Sequence, residues 1–143
     1  MNTIAQARPA IDAHKGLHYG LWLAQVLLAA VFATVGFMQL TISATDLAQK
    51  MPAGMLMPLA LLRFIGVAEV AGAIGLILPS ATRILPVLTP VAARALALVM
   101  ALAAILHTWR GEFTSLPLVL VLGAVALFIS WGRTTRAPIP SRG

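Results

Sequence analysis

Arg63, Glu69, Arg94 and His107 stand within or at the edges of long apolar stretches, where ionisable side chains are least expected. A charge facing hydrocarbon costs at least a few kcal/mol, so each must turn into a helix bundle or reach water. Glu69 is the most informative, because about nine apolar or small residues separate it from Pro79 and so short a side chain cannot snorkel out. Its carboxylate therefore needs a cationic partner or a bound proton. Arg63 precedes it on the same helix by about 9 Å of axial rise and roughly 120° of rotation, so a direct pair needs a long reach or a water. Arg94, early in the antiparallel neighbour, is within plausible side-chain reach; its alternative is to snorkel to the headgroups.

His107 and Arg110 close that neighbouring helix on the membrane side shared by Arg63, Lys50 and the end of the first apolar run. Gln39, Arg63, His107, Arg110 and Glu112 are thus expected around one polar vestibule on the external side, with Glu69 and Arg94 as the deeper charges. Two chemistries suit such a set. An ion-pair and hydrogen-bond network would fix helix register, whereas a ligand site would use His107 with a neighbouring Arg or Glu to hydrogen-bond a quinone carbonyl and relay its proton. Transport and partner docking are the remaining uses. Quinone is the one cofactor these residues suggest.

Other constellations are weak. His14 and His18, with Asp12, have the i, i+4 spacing that lets one helical face present two ligands, but an interfacial segment with incidental histidines is the preferred explanation, and no metal is expected. No Ser-His-Asp arrangement, glycine-rich phosphate loop or paired haem-type histidine ligands within the apolar runs can be found, so catalysis by this chain alone is not expected.

The elements that must position these residues are four apolar runs, at about 20–40, 59–78, 87–106 and 116–131. Each approaches the roughly 20 residues that a spanning helix needs. Breakers separate them: Met51, Pro52, Ala53, Gly54 and Pro58 before the second, Pro79, Pro86 and Pro90 before the third, Gly111 and Pro117 before the fourth. The runs are long, rich in Ala and Leu and without period-2 alternation, which excludes strands. Continuation of the first run to Leu40 also makes it too long for the apolar region of a cleaved signal peptide.

Small residues recurring every three or four positions mark close helix contacts: Ala68, Gly72 and Gly75 in the second run, and Ala93, Ala97, Ala101 and Ala104 in the third. In the first run Gln25, Ala29, Gly36 and Gln39 fall near one stripe. The expected fold is an all-α integral membrane four-helix bundle, with residues 1–18 as an N-terminal arm, 19–132 as the four-span domain and 133–143 as a disordered basic tail. A homo-oligomeric seam is the alternative use of the stripes.

Composition agrees with this class. The 143 residues are 60% hydrophobic and only 10% charged, and the mean hydropathy is +0.95; a soluble bundle would show polar helix faces. The net charge of +6 gathers into no aromatic-interleaved patch, so nucleic acid is not an expected partner and the lipid bilayer is. Arg8, Lys15, Arg83, Arg133, Arg136 and Arg142 fall on one side of the four-span arrangement, against Lys50, Arg63 and Arg110 on the other. The richer side is expected to be cytoplasmic, with both chain ends there. Trp22, Trp109 and Trp131 near the span ends suit interfacial anchoring. With no cysteine, the chain has no disulfide, thiolate metal site or thiol redox chemistry.

The stretch Arg63 to Pro90, RFIGVAEVAGAIGLILPSATRILPVLTP, resembles the DoxX-like family of small bacterial membrane proteins. The likeness extends to GLWLAQVLLAAVF, to ALALVMALAAILHTWRGE and to the terminal WGR. It implies a four-helix bundle in the bacterial inner membrane. It matches Arg63, Glu69, Gly72, Pro79, Pro90, His107, Arg110 and Glu112 to the family's recurrent positions. Gln39 stands where relatives usually have Lys, and Arg94 where they usually have a small residue; Arg94 is accordingly expected as a relocated countercharge for Glu69. By resemblance the function is that of a quinone-proximal accessory subunit of a redox enzyme or membrane complex. A small transporter, a binder of lipid or another hydrophobic ligand, and a structural partner of another complex are the alternatives.

Overall fold

The computed structural model describes residues 3–50 and 57–142, apart from the side chains of residues 3–14, Ala48 and Lys50. Expectations resting on Met51, Pro52, Ala53 and Gly54, or on the side chains of Arg8, Asp12, His14 and Lys50, lie outside the described residues. Among the described residues regular structure is entirely helical: α1 Thr3–Thr41, a short α2 Ala44–Lys50, α3 Leu59–Thr82, α4 Leu88–Trp109 and α5 Leu116–Trp131, which continues into a π-helical turn at Gly132–Arg136. Four segments among them are long and apolar enough to cross a membrane: Lys15–Thr41, Leu59–Thr82, Leu88–Trp109 and Leu116–Arg136.

The chain reverses direction at each connection, and α1 packs on α3, α3 on α4, α4 on α5, with α5 also touching α1. This closes a bundle around Phe32, Leu76, Leu96, Ala126 and Ile129, all essentially inaccessible. Large apolar side chains such as Leu27, Phe64, Leu98 and Leu120 point outward and are exposed, as a lipid-facing surface requires and a water-facing one does not. One end of the bundle, where the α3–α4 turn and the π-helical turn meet, is rich in arginine; it is called the basic end below. The other, the α2 end, carries α2 and the α4–α5 turn.

Close backbone approach sets the α1–α3 crossing. A Cβ placed on Gly36 would lie 2.8 Å from the Gly66 carbonyl oxygen, and one on Gly66 would lie equally near the Gly36 oxygen. Because the obstacle is backbone rather than a flexible side chain, any larger residue pushes the helices apart. The α4 stripe is only partly interior: Ala93 is buried, Ala97 and Ala104 are half-buried, and Ala101 is exposed.

Several boundaries differ from the sequence expectation: α1 already begins at Thr3, within the expected N-terminal arm, and α4 runs to Trp109. Helix α3 does not stop before Pro79 but carries it inside and ends at Thr82, capped by Arg83 at φ 60°. Proline removes one backbone donor, and near a helix end that loss is small enough for packing to override it. Arg133, expected to begin a solvated tail, is instead 4% exposed. The π-helical turn prolongs α5, with the Ala137 amide donating to the Gly132 oxygen at 2.8 Å.

Candidate functional site

Gln39, near the end of α1, and Glu69, midway along α3, face each other just beyond the Gly36–Gly66 contact. Gln39 Nε2 donates to Glu69 Oε2 at 3.2 Å, and Glu69 is 3% exposed. The short glycine crossing brings the two backbones near enough for a glutamine to span the gap. Arg63 holds this corner from behind: its Nη1 donates to the Gln39 carbonyl at 3.0 Å and its Nη2 to the Ile42 carbonyl at 2.7 Å. It thus satisfies carbonyls at the C-terminus of α1, where a cation is also favoured by the helix dipole.

On the opposite wall, the α4–α5 turn carries a second polar group. His107 Nδ1 and Glu112 Oε2 are 2.6 Å apart, and Arg110 Nε lies 3.0 Å from Glu112 Oε1. The turn itself is fixed by the Glu112 amide donating to the His107 carbonyl and by Gly111 at φ 71°, a conformation that glycine adopts without strain.

Between these walls lies a cavity of about 700 Å³. Gln39, Glu69, His107, Arg110 and Glu112 all line it, while most of its surface is apolar, contributed by residues such as Phe32, Leu61, Phe64 and Met100. Gln39 Oε1 is buried without a hydrogen-bond partner. The ion pairs among the described residues both involve Glu112, so no cation there pairs with Glu69. The compensation of its carboxyl is left to the Gln39 amide, a proton, or a donor from a ligand.

Five of the seven residues expected in the network therefore share one cavity, with Arg63 behind it. Arg94 does not. Its Nε donates to Ser130 Oγ at 2.9 Å and its Nη2 to Thr134 Oγ1 at 3.1 Å, which places its guanidinium against α5 at the basic end. The relocated-countercharge expectation fails on rotation: Arg94 has the axial reach toward Glu69, but α4 presents it to α5 rather than to α3.

A second buried polar cluster was not foreseen. Gln25 is fully buried and Arg133 nearly so. Arg133 Nε donates to Gln25 Oε1 at 2.6 Å, Gln25 Nε2 donates to the Leu76 carbonyl at 2.6 Å, and the hydroxyls of Ser80 and Thr89 stand 2.7 Å apart beside it. The Arg133 guanidinium also lies over the Trp22 ring, 5.4 Å from its centroid, and its Nη1 donates to His18 Nδ1 at 3.3 Å. The available signal was Gln25 itself, an amide about five positions into an apolar run, which has to find partners in the bilayer interior.

Against known proteins, a family model described as the DoxX-like family matches residues 23–129. That span contains the whole Glu69 cavity and stops short of Arg133. No curated protein and no solved structure matches the chain.

Proposed function

The chain belongs to the DoxX-like family, and from that premise we propose that it is a redox accessory subunit of the bacterial inner membrane that holds a quinone-class ligand in the Glu69 cavity. Four helices able to cross a bilayer, in a member of this family, make it a multi-pass integral membrane protein. The observation that carries the ligand reading is the orphaned Gln39 Oε1 beside the Glu69 carboxyl at the polar head of an otherwise apolar cavity. A volume of about 700 Å³ suits a ring and the first part of an apolar tail.

On the Glu69 wall the free polar atoms can accept hydrogen bonds, while the opposite wall offers a donor in the buried Arg110 Nε, which has no hydrogen-bond partner. The Glu69 wall therefore reads a ligand group that donates. A hydroquinone has two hydroxyl donors, whereas the oxidised ring has only carbonyl acceptors. The Gln39 and Glu69 side chains therefore fit the reduced form of such a cofactor, whose chemistry when bound would be two-electron, two-proton exchange with a partner. The chain's own part is to bind and orient: Glu69 and Gln39 take the hydroxyls, Arg63 fixes Gln39 through its backbone, and the Phe32, Leu61 and Phe64 walls exclude water.

Binding of a short-chain quinol and its quinone to protein in detergent, measured by isothermal titration, tests this. The quinol should bind more tightly, and Glu69→Leu or Gln39→Leu should weaken it roughly tenfold each, the size of one hydrogen bond to a polar or charged group. Affinity that both substitutions leave unaltered would turn the cavity into a nonspecific apolar site, as in the alternative reading of a lipid or hydrophobic-ligand binder.

The basic end is proposed to face the cytoplasm, on the excess of arginine and lysine there. Because Arg133 is buried, the reporter belongs after Gly143 rather than at the end of α5. Alkaline phosphatase fused there should be inactive and a fluorescent protein fused there bright; the reverse pattern would invert the topology.

A further inference from the structure

At the basic end a cleft of about 860 Å³ opens between the α3–α4 turn, the first turns of α4 and the segment after α5. Three arginines line it: Arg94, Arg133 and Arg142. The amide of Arg142 donates to the Arg83 carbonyl at 3.0 Å, which ties the final segment back over the α3–α4 turn and closes the rim.

Two of the three guanidinium groups are held in place by neutral partners alone. Arg94 is oriented by the hydroxyls of Ser130 and Thr134. Arg133 is oriented by Gln25 Oε1, the Ala137 carbonyl and His18, and its Nη2 is buried with no hydrogen-bond partner. Of the side chains described, the carboxylates are those of Asp46, Glu69 and Glu112, none of which lines this cleft. Positive charge is thus fixed in a concave, partly dehydrated place, and among the described side chains no carboxylate meets it. A buried cation without an anion is a costly arrangement that a bound anion relieves.

We propose that this cleft binds a phosphate group, presented as the headgroup of an anionic phospholipid. Arginine forks match phosphate oxygens two at a time, and basic pockets between membrane helices are suited to anionic headgroups. The apolar part of the cleft distinguishes a lipid from a soluble anion. Leu85 and Val87 project from the α3–α4 turn, 61% and 62% exposed, and they line the same cleft as the arginines, where acyl chains would lie against them.

The test uses lipid-depleted protein in detergent. Native mass spectrometry should show one phosphatidylglycerol retained per chain and no retention of diacylglycerol with the same acyl chains. The double variant Arg94→Gln, Arg142→Gln should lower phosphatidylglycerol affinity at least tenfold, and Arg142→Gln alone, in the segment after the last helix, should lower it if the double variant fails to fold. Inorganic phosphate should raise the unfolding temperature less than phosphatidylglycerol does. Equal protection by inorganic phosphate would keep the phosphate site but overturn the lipid as its source. Equal retention of both lipids, undiminished in the variants, would overturn the site altogether.

Discussion

Replacing Gln25 by leucine is expected to destabilise the protein by about 2–3 kcal/mol, the range for losing a hydrogen bond to a buried charged group. Gln25 is the sole side-chain bridge here joining α1 to both α3 and the end of α5 among the described residues, through Leu76 and Arg133. Leucine fills nearly the same volume, so the loss comes from the Arg133 guanidinium, left buried with its Nε facing a hydrocarbon side chain. Combining Gln25→Leu with Arg133→Met should therefore recover most of the stability, because the unsatisfied charge goes with the arginine. Thermal unfolding of the two single variants and the pair in detergent gives the coupling directly. Strictly additive losses would mean that Gln25 and Arg133 stabilise the bundle independently, contrary to their 2.6 Å contact.

Glu69→Lys should abolish accumulation of folded protein, whereas Glu69→Gln should accumulate near the normal level. At 3% exposure the side chain at this position has no route to water. A lysine there would meet the Gln39 side chain, with the Arg63 guanidinium already bound to the Gln39 carbonyl. A charged residue at mid-membrane costs about 2.5–3.5 kcal/mol on insertion scales, and an unpaired buried charge in a packed protein costs about 3–5 kcal/mol. Glutamine needs only hydrogen bonds, and its carbonyl can accept from Gln39 Nε2 as the carboxylate does. The readout is the monodisperse yield of each variant by size-exclusion chromatography after mild solubilisation. Equal yields would be incompatible with an interior Glu69. This result is independent of ligand, so it separates the position of Glu69 from the quinol reading built on it.

The amino-acid sequence by itself determined the class of the protein, the number of its spans and most of their limits. The fourth apolar run begins with α5 at Leu116, while the membrane-compatible segment runs past Trp131 to Arg136. That legibility has a simple cause: hydrocarbon offers backbone groups no partners, so an apolar run of spanning length has to be a helix whatever surrounds it. The sequence grouped Gln39, Arg63, His107, Arg110 and Glu112 around one polar vestibule, and all of these but Arg63 line one cavity. Gln39, His107, Arg110 and Glu112 were placed together by axial position alone, since alternating helices of similar length bring their corresponding ends together.

Only the tertiary structure decided what depends on rotation about each helix and on partners far apart in the chain. Arg94 and Glu69 have compatible depths, but α4 turns Arg94 toward Ser130 and Thr134 of the α5 end, and no pattern within α4 sets that angle. Pro79 reads locally as a stop, yet α3 passes through it because burial against its neighbours outweighs one missing donor. Arg133 reads as one of several arginines in a basic tail. What makes it interior is Gln25, 108 positions away, which offers an acceptor at the depth where the prolonged α5 delivers the guanidinium. An arginine that snorkels and one that is buried have the same flanking sequence. The difference lies in whether a neighbouring helix holds an oxygen where the side chain arrives, which packing alone provides.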